Sequence, residues 1–254
     1  MTTYSDYDPF AWVYNRHWGD TFLMMALPVV ENLVLKRLST KARILDLCCG
    51  TGQMAAVLTT MGYQVTGIDG SEEMLSFARK NAPKAKFIKA DARSFSLPET
   101  YHGVTCVFDS LNHVMSTDEL AAVFRNVHAA LEDGGLFLFD LNMEEGYRTN
   151  WNGSSAIIED DHVCAIASSY DTDEKIARFD ASIFRPENGW RRTDLTLLQK
   201  CHSESEVRSA LAAAGLIEVN IYGYTRKAGM KELTAEAERA FFLCQKPAEA
   251  NNIH

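Results

Sequence analysis

The chain has 254 residues, 46% of them hydrophobic and 23% charged, which suits one sizeable core or one core carrying an inserted subdomain. A formal net charge of −9 repels phosphate backbones, so broad nucleic-acid binding is disfavoured. Cys48, Cys49, Cys106, Cys164, Cys201 and Cys244 form no C-x-x-C pair and mostly sit in apolar runs, and no histidine has metal-ligand spacing. The expectation is a reduced, cytoplasmic protein, monomeric or homodimeric, with no metal.

The first 20 residues lack the basic start and apolar centre of a targeting segment. They are crowded instead with Tyr4, Tyr7, Phe10, Trp12, Tyr14 and Trp18, which either plug a surface groove or form a lid over a ligand. Asp8-Pro9 marks a turn, and Phe10 to His17 suits one short helix. A longer helix is expected from Asp20 to Leu38, with Pro28 a candidate kink. Glu31, Asn32, Lys36 and Arg37 make this stretch amphipathic rather than membrane-spanning.

The stretch Arg43 to Gln53 comes next. Ile44, Leu45, Leu47 and Cys48 read as a strand buried on both faces, which breaks at Gly50-Thr51-Gly52 and re-enters as a helix over Met54 to Met61. Such a turn sets backbone N–H groups and a helix N-terminus around a small ligand, and a Cβ on either glycine would obstruct the turn or the ligand's approach. Gln64 to Asp69 is a second strand, followed by a helix from Glu72 to Asn81 with Ser71 as its N-cap. Phe87 to Asp91 and Val104 to Asp109 are the third and fourth strands. A helix over Leu120 to Leu131 stops at Asp133-Gly134-Gly135, and Leu136 to Leu141 is the fifth strand.

Strands that are nearly continuous in apolar residues and alternate with helices imply a parallel sheet covered on both faces. Right-handed crossovers then bring Asp46, Asp69, Asp91 and Asp109 to one edge. From Ser155 to Cys201 the period changes to two, with Ala177, Phe179, Ala181 and Ile183 opposing Arg178, Asp180 and Ser182. This reads as two or three antiparallel strands with one wet face. Ser203 to Glu206 is a capping box opening a helix, and Ile217 to Tyr222 and Ala240 to Gln245 close the chain as two strands. The tail from Pro247 to His254 reads as frayed. The fold class is therefore α/β, a Rossmann-like, mostly parallel sheet with helices on both faces plus a small antiparallel β insertion. The expected division is 1–150 for the lid helices and cofactor core, 151–202 for the insertion, and 203–254 for the closing part of the core.

Gly50-x-Gly52-x-x-Ala55 followed by Asp69 suits any cofactor with an adenosine ribose, because a carboxylate accepts from both hydroxyls. On these residues alone NAD and other adenosine cofactors are not separated. Further motifs separate them. Asp46-Leu47-Cys48-Cys49-Gly50-Thr51-Gly52 resembles the first motif of the class I S-adenosylmethionine-dependent methyltransferases. Val65 to Leu75 resembles their second, Ala90-Asp91-Ala92-Arg93 the third, Phe108 to His113 the fourth, and Leu131 to Gly135 the fifth. The resemblance covers residues 41–142 strongly and implies a seven-stranded sheet with its last strand antiparallel.

The resemblance implies S-adenosyl-L-methionine as cofactor and a role for each matched residue. Asp46 would face the ammonium of the methionine end, with the backbone at Cys49, Gly50 and Gly52 allowing approach. Asp69 would take the ribose hydroxyls, with Gly70 and Met74 along the adenine, while Asp91 and the N–H of Ala92 would meet the adenine edge. Phe108 would lie near the methyl group. Asp109, Ser110, Asn112 and His113 are expected to face that point, and only His113 titrates near neutral pH. Tyr14 stands where small-molecule members of the family often carry a lid tyrosine. Tyr14 and His113 are thus the candidates to orient a small-molecule acceptor and carry its proton; otherwise His113 caps the helix near Ser116 and Tyr14 only packs. Arg148 and Trp151 are candidates to line the acceptor pocket. Arg191 and Arg192 read as a solvated strand face. An NAD-dependent oxidoreductase and a non-catalytic S-adenosylmethionine-binding module are the alternative functions.

Overall fold

Apolar runs and amphipathic stretches alternate along the chain, and a computed structural model describing residues 4–187 and 189–248 shows how they assemble. The tail expected to fray, Pro247 to His254, follows the last strand, and from residue 249 on it lies outside the described residues. A 3-10 turn over Tyr4–Phe10 leads into helices α1 (Ala11–His17) and α2 (Gly19–Leu33), and the stretch expected to be helical to Leu38 breaks at Val34 into a 3-10 turn, Leu35–Arg37. The alternating core then follows: β1 (Arg43–Leu47), α3 (Gln53–Thr60), β2 (Gln64–Asp69), α4 (Glu72–Asn81), β3 (Lys86–Lys89), β4 (Tyr101–Cys106), α5 (Thr117–Ala130), β5 (Leu131–Asn142) and α6 (Glu144–Asn150). Strands β6 (Gly153–Glu159), β7 (His162–Asp171), β8 (Ile176–Pro186) and β9 (Trp190–Lys200) come next, before α7 (Glu204–Ala213), β10 (Ile217–Thr225), β11 (Gly229–Glu232) and β12 (Arg239–Gln245).

The main sheet runs β11-β10-β12-β5-β4-β1-β2-β3, parallel from β5 to β3, with β12 antiparallel to β5. The seven expected strands are all present, and β11, formed within the polar loop between the closing strands, extends the edge. Successive residues of β5 bury on opposite faces: Phe137 and Phe139 against α5 and α7, Leu136 and Leu138 against α2 and α3. That two-sided burial is why the strand reads as a continuous apolar run.

The insertion is a separate antiparallel sheet of four strands in sequence order. The additional strand, β6, is an exposed edge, so its sequence carries no inside–outside alternation to read. The dry face of this sheet (Ala181, Ile183, Leu195, Leu197) packs on Phe10 and Val13 of the N-terminal segment. The aromatic lead-in is therefore clamped between the insertion and the strand ends of the core, and this placement creates the site.

Two strands stop earlier than their apolar runs suggest. β3 ends at Lys89, which leaves Asp91 in the following turn. β4 ends at Cys106 because Phe108 and Asp109 adopt left-handed backbone conformations, φ +70° and +50°. Both of their N–H groups donate to the buried carboxylate of Asp140, at 2.6 and 3.1 Å, which holds this uncommon turn in place.

Candidate active site

At the carboxyl ends of β1, β2 and β4 lies a cavity of about 70 Å³, walled on one side by Cys48, Gly50, Asp69, Gly70, Met74 and Ala92. Asp69 terminates β2, and its two oxygens accept from the N–H of Gly50 at 2.8 Å and of Ser71 at 2.9 Å. Burial raises its pKa, and these backbone bonds oppose the rise. The carboxylate thus fastens the glycine turn to the N-terminus of α4 while its remaining lone pairs stay available for hydroxyl donors. Asp69→Ala would remove these two backbone bonds as well as the free lone pairs, and so would loosen the loop.

The glycine turn itself is largely self-bonded. The N–H of Cys49 donates to the Ile68 carbonyl at 2.9 Å and that of Gly52 to the Cys49 carbonyl at 3.0 Å, so neither offers a cradle to a ligand. A Cβ on Gly50 would meet only the Tyr14 ring, at 3.7 Å. Gly52 is required for another reason: at φ +82°, its Cβ would stand 2.9 Å from the Cα of Ala78 on α4. Cys48, rather than Cys49, lines the cavity.

Asp46 is 2% exposed. Its Oδ1 lies 3.3 Å from the Thr105 hydroxyl, and its Oδ2 has no partner among the described residues. Burial lifts its pKa to about 7, against the bond from Thr105. A buried carboxylate oxygen without a donor is the complement of an ammonium group, and it fits the amino-acid end of S-adenosylmethionine. Asp91 is engaged elsewhere. Its oxygens take the backbone N–H of Arg93 at 2.8 Å and its guanidinium at 2.7 Å, and the cavity is lined by Ala90 and Ala92 instead.

A second cavity, of about 430 Å³, opens between the lead-in, the core and the insertion. The two cavities share Tyr7, Tyr14, Phe108 and His113. His113 Nδ1 lies 2.8 Å from the Leu198 carbonyl, which can only accept, so Nδ1 carries the proton. Nε2 is then an acceptor and takes the Tyr7 hydroxyl at 2.5 Å, with the Gln199 amide nitrogen at 3.1 Å. Burial lowers the His113 pKa, with the charge of Asp109 opposing, so the imidazole is neutral. Burial raises the Tyr14 pKa, and its phenol stays protonated.

The other residues expected at this point divide. Ser110 lines the cofactor-side cavity, with its hydroxyl donating to the Val107 carbonyl at 3.0 Å. Asn112 is buried and does not face either cavity. Its amide donates to the Lys200 carbonyl at 2.9 Å and its oxygen accepts from the Asn142 N–H at 2.9 Å, which ties β5 to β9. Asp109 is held by Arg239 at 2.6 Å and Gln199 at 2.6 Å. Burial would push its pKa up, but the Arg239 charge and these bonds outweigh it and hold it below the ordinary carboxylate range. The helix after His113 is capped by Ser116, whose hydroxyl accepts from Glu119, so His113 has no capping role.

Trp151 lines the larger cavity, whereas Arg148 is exposed and bonded to Glu144 at 2.7 Å. Arg191 and Arg192 are exposed, on opposite faces of β9, and pair with Glu187 and Asp194. No group of three or more metal-ligating side chains occurs among the described residues. Sequence reasoning missed Tyr7, Gln199, Asp140 and Arg239. Tyr7 stood among the aromatic residues already singled out. Asp140 lies near the end of β5 and Arg239 at the start of β12, adjacent antiparallel strands, and no local pattern pairs them.

Residues 44–135 match a family model described as a methyltransferase domain. The protein named "Putative methyltransferase YqeM" of Bacillus subtilis (strain 168) is 30% identical over 215 residues, which cover 82% of this chain and 86% of that protein. The dTDP-3-amino-3,4,6-trideoxy-alpha-D-glucopyranose N,N-dimethyltransferase of Streptomyces venezuelae is 28% identical over 191 residues, 74% of this chain and 80% of its own. A solved S-adenosylmethionine-dependent methyltransferase of Clostridium acetobutylicum ATCC 824 has the same fold, with a TM-score of 0.77 at 21% identity over 95% of this chain and 99% of that one. With five ordered motifs, an unpaired buried carboxylate at the end of β1 and this relationship, the chain belongs to the class I S-adenosylmethionine-dependent methyltransferases.

Proposed function

We propose that the enzyme moves a methyl group to a nitrogen or oxygen of a small-molecule acceptor held in the larger cavity. The cofactor would lie against Asp46, Cys48, Gly50, Asp69, Gly70, Met74 and Ala92, with Phe108 at the junction. Among the residues motif reasoning nominated, Cys49 and Gly52 would shape the loop without touching the cofactor, and Asp91 would act through Arg93 and the turn. The observation that carries this reading is the common wall of Tyr7, Tyr14, Phe108 and His113 between the two cavities. Bound S-adenosylmethionine supplies a methyl group activated by its sulfonium.

The protein's own share is orientation and proton handling. Alignment of an acceptor lone pair with the methyl carbon contributes on the order of 7–11 kcal/mol in well-positioned systems. Tyr14, protonated, would present a donor to the acceptor. His113, neutral with an Nε2 lone pair, would receive the acceptor's surplus proton once Tyr7 yields that lone pair. The dTDP-amino-sugar relative, whose name gives an amine acceptor, supports nitrogen as one acceptor atom. In this reading 151–202 forms the acceptor cap over a core made from 1–150 and 203–254, and the protein works in the cytoplasm as a monomer or homodimer. No single helix among the described residues is long and apolar enough to cross a membrane.

Thermal melting with S-adenosylhomocysteine and with NAD tests the cofactor. A rise with S-adenosylhomocysteine and none with NAD is expected, and a rise with NAD alone overturns the proposal. Release of S-adenosylhomocysteine on adding fractions of small metabolites then tests transfer, with protein and RNA fractions as the contrasting outcome.

A further inference from the structure

The walls of the acceptor cavity narrow the acceptor's chemistry, an inference that rests on the methyl-transfer reading above. We infer that the acceptor is an amine on an apolar body without phosphate. The cavity is ringed by Phe10, Trp18, Phe22, Trp151 and Phe179, in addition to the tyrosines it shares with the cofactor side. Trp151 and Phe179 meet edge to face at 6.2 Å, as do Phe10 and Phe179 at 5.6 Å, so the rings form one continuous lining. Such a lining attracts a cationic or amine-bearing group through its ring faces and shelters an apolar body.

The same walls are poor in phosphate ligands. Among the described residues only Arg226 brings a permanent positive charge to this lining, and its guanidinium lies 3.7 Å from Glu238. The acid of the lining, Asp109, is already neutralised by Arg239. The insertion carries four arginines, and none lines the cavity: strand alternation directs Arg178 and Arg192 to the wet face, while Arg185 and Arg191, at the far end of the dry-face register, pair with Glu187. Phe179 and Leu197 point in, whereas Arg178 and Arg192 lie on the opposite face, paired with Asp180 at 2.7 Å and Asp194 at 2.9 Å. Bringing either cation inward would shift the register of the sheet by one residue and expose its dry face. A nucleoside diphosphate, with two or more negative charges, needs bidentate or clustered cations that this lining lacks. The chain is thus set apart from the dTDP-sugar relative in substrate, though not in fold.

An amine also fits the base. A neutral amine attacks with its lone pair: the N–C bond forms, the S–C bond breaks, and sulfur keeps the electron pair. The proton left on the methylated nitrogen passes to Nε2 of His113, replacing the hydrogen bond from Tyr7. An aliphatic alcohol is too weakly acidic for an imidazole whose basicity burial has already lowered.

Equilibrium titration of the S-adenosylhomocysteine-loaded enzyme tests this, read by tryptophan fluorescence from Trp18 and Trp151. The probes are benzyltrimethylammonium, thymidine diphosphate and, as a neutral control, benzyl alcohol. Benzyltrimethylammonium is expected to bind at least about tenfold more tightly than either of the others, and Trp151→Leu to weaken it by about tenfold. Thymidine diphosphate or benzyl alcohol binding as tightly as the ammonium probe, or no binding of the ammonium probe, overturns the inference. Loading with S-adenosylhomocysteine is measured first. Failure there removes the methyl-transfer reading itself, whereas normal loading with the wrong probe order removes only the amine inference.

Discussion

Asp46 carries the least compensated charge in the site, and its pH behaviour follows. Its pKa is about 7 in the folded chain against 3.8 when exposed, so between these values the folded state keeps a proton that the unfolded chain has released. Its contribution therefore becomes unfavourable as pH rises through that window, by on the order of 2–4 kcal/mol once pH exceeds 7. Asp46→Asn should stabilise the ligand-free protein at pH 8 and have little effect near pH 4, while weakening S-adenosylhomocysteine binding at pH 8. Urea denaturation of both forms across this range checks it, and a difference independent of pH refutes the assignment. His113 behaves oppositely, since burial keeps it neutral below the ordinary imidazole value of 6.5. With cofactor saturating, wild-type turnover corrected for the fraction of acceptor amine that is unprotonated should hold as pH falls to 6.5 and drop only below it. His113→Ala should lower kcat by roughly 10²–10⁴-fold with cofactor affinity near normal. A fully active variant would return His113 to a packing role.

At the scale of elements, the turn between β1 and α3 was legible because buried strand, paired glycines and helix follow each other without interruption. What the motif conceals is the division of labour between the glycines. Gly50 leaves room toward Tyr14, whereas Gly52 allows α3 to begin against the backbone of α4. Gly52→Ala should therefore cost more than about 2 kcal/mol, combining a strained φ of +82° with a clash at Ala78. Gly62→Ala, with φ +97° and open space around its Cβ, should cost only about 1 kcal/mol. Equal losses in chemical denaturation would show that the helix contact contributes nothing. The strand ends were less legible. Apolar residues continue past Cys106, and nothing local announces that Asp140, on a neighbouring strand, bends Phe108 and Asp109 out of line.

At the scale of the molecule, the N-terminal lead-in is a strap fixed at two points. Tyr7 is bonded to His113, and Asp8 accepts from the Ser71 hydroxyl and, at 3.4 Å, from the N–H of Glu73 at the start of α4. The strap therefore covers both cavities and is pinned between Gly70 and Met74 of the proposed cofactor wall. Hydrogen exchange over residues 7–18 and 71–74 should slow when S-adenosylhomocysteine binds, and Asp8→Ala should speed its release several-fold. Exchange that ignores the ligand would show the strap to be a fixed wall.

The sequence by itself determined the layered α/β core, the succession of strands and helices along the chain, the glycine turn and the acids Asp46 and Asp69 of the first two strands, because each depends on local periodicity or on a short motif. It also marked the lead-in as aromatic and residues 155–201 as antiparallel. Only the tertiary structure decided which of those residues meet. It withdrew Asn112 into a clamp between strands, gave Asp91 to Arg93, neutralised Asp109 with Arg239, and set Tyr7 on His113. Each of these pairings joins groups whose geometry is set by turns and strand registers rather than by a motif, and even the neighbouring Asp91 and Arg93 show their bond only once β3 ends early. The larger cavity is likewise a tertiary product, since its walls come from four separate segments that only the packed insertion brings face to face.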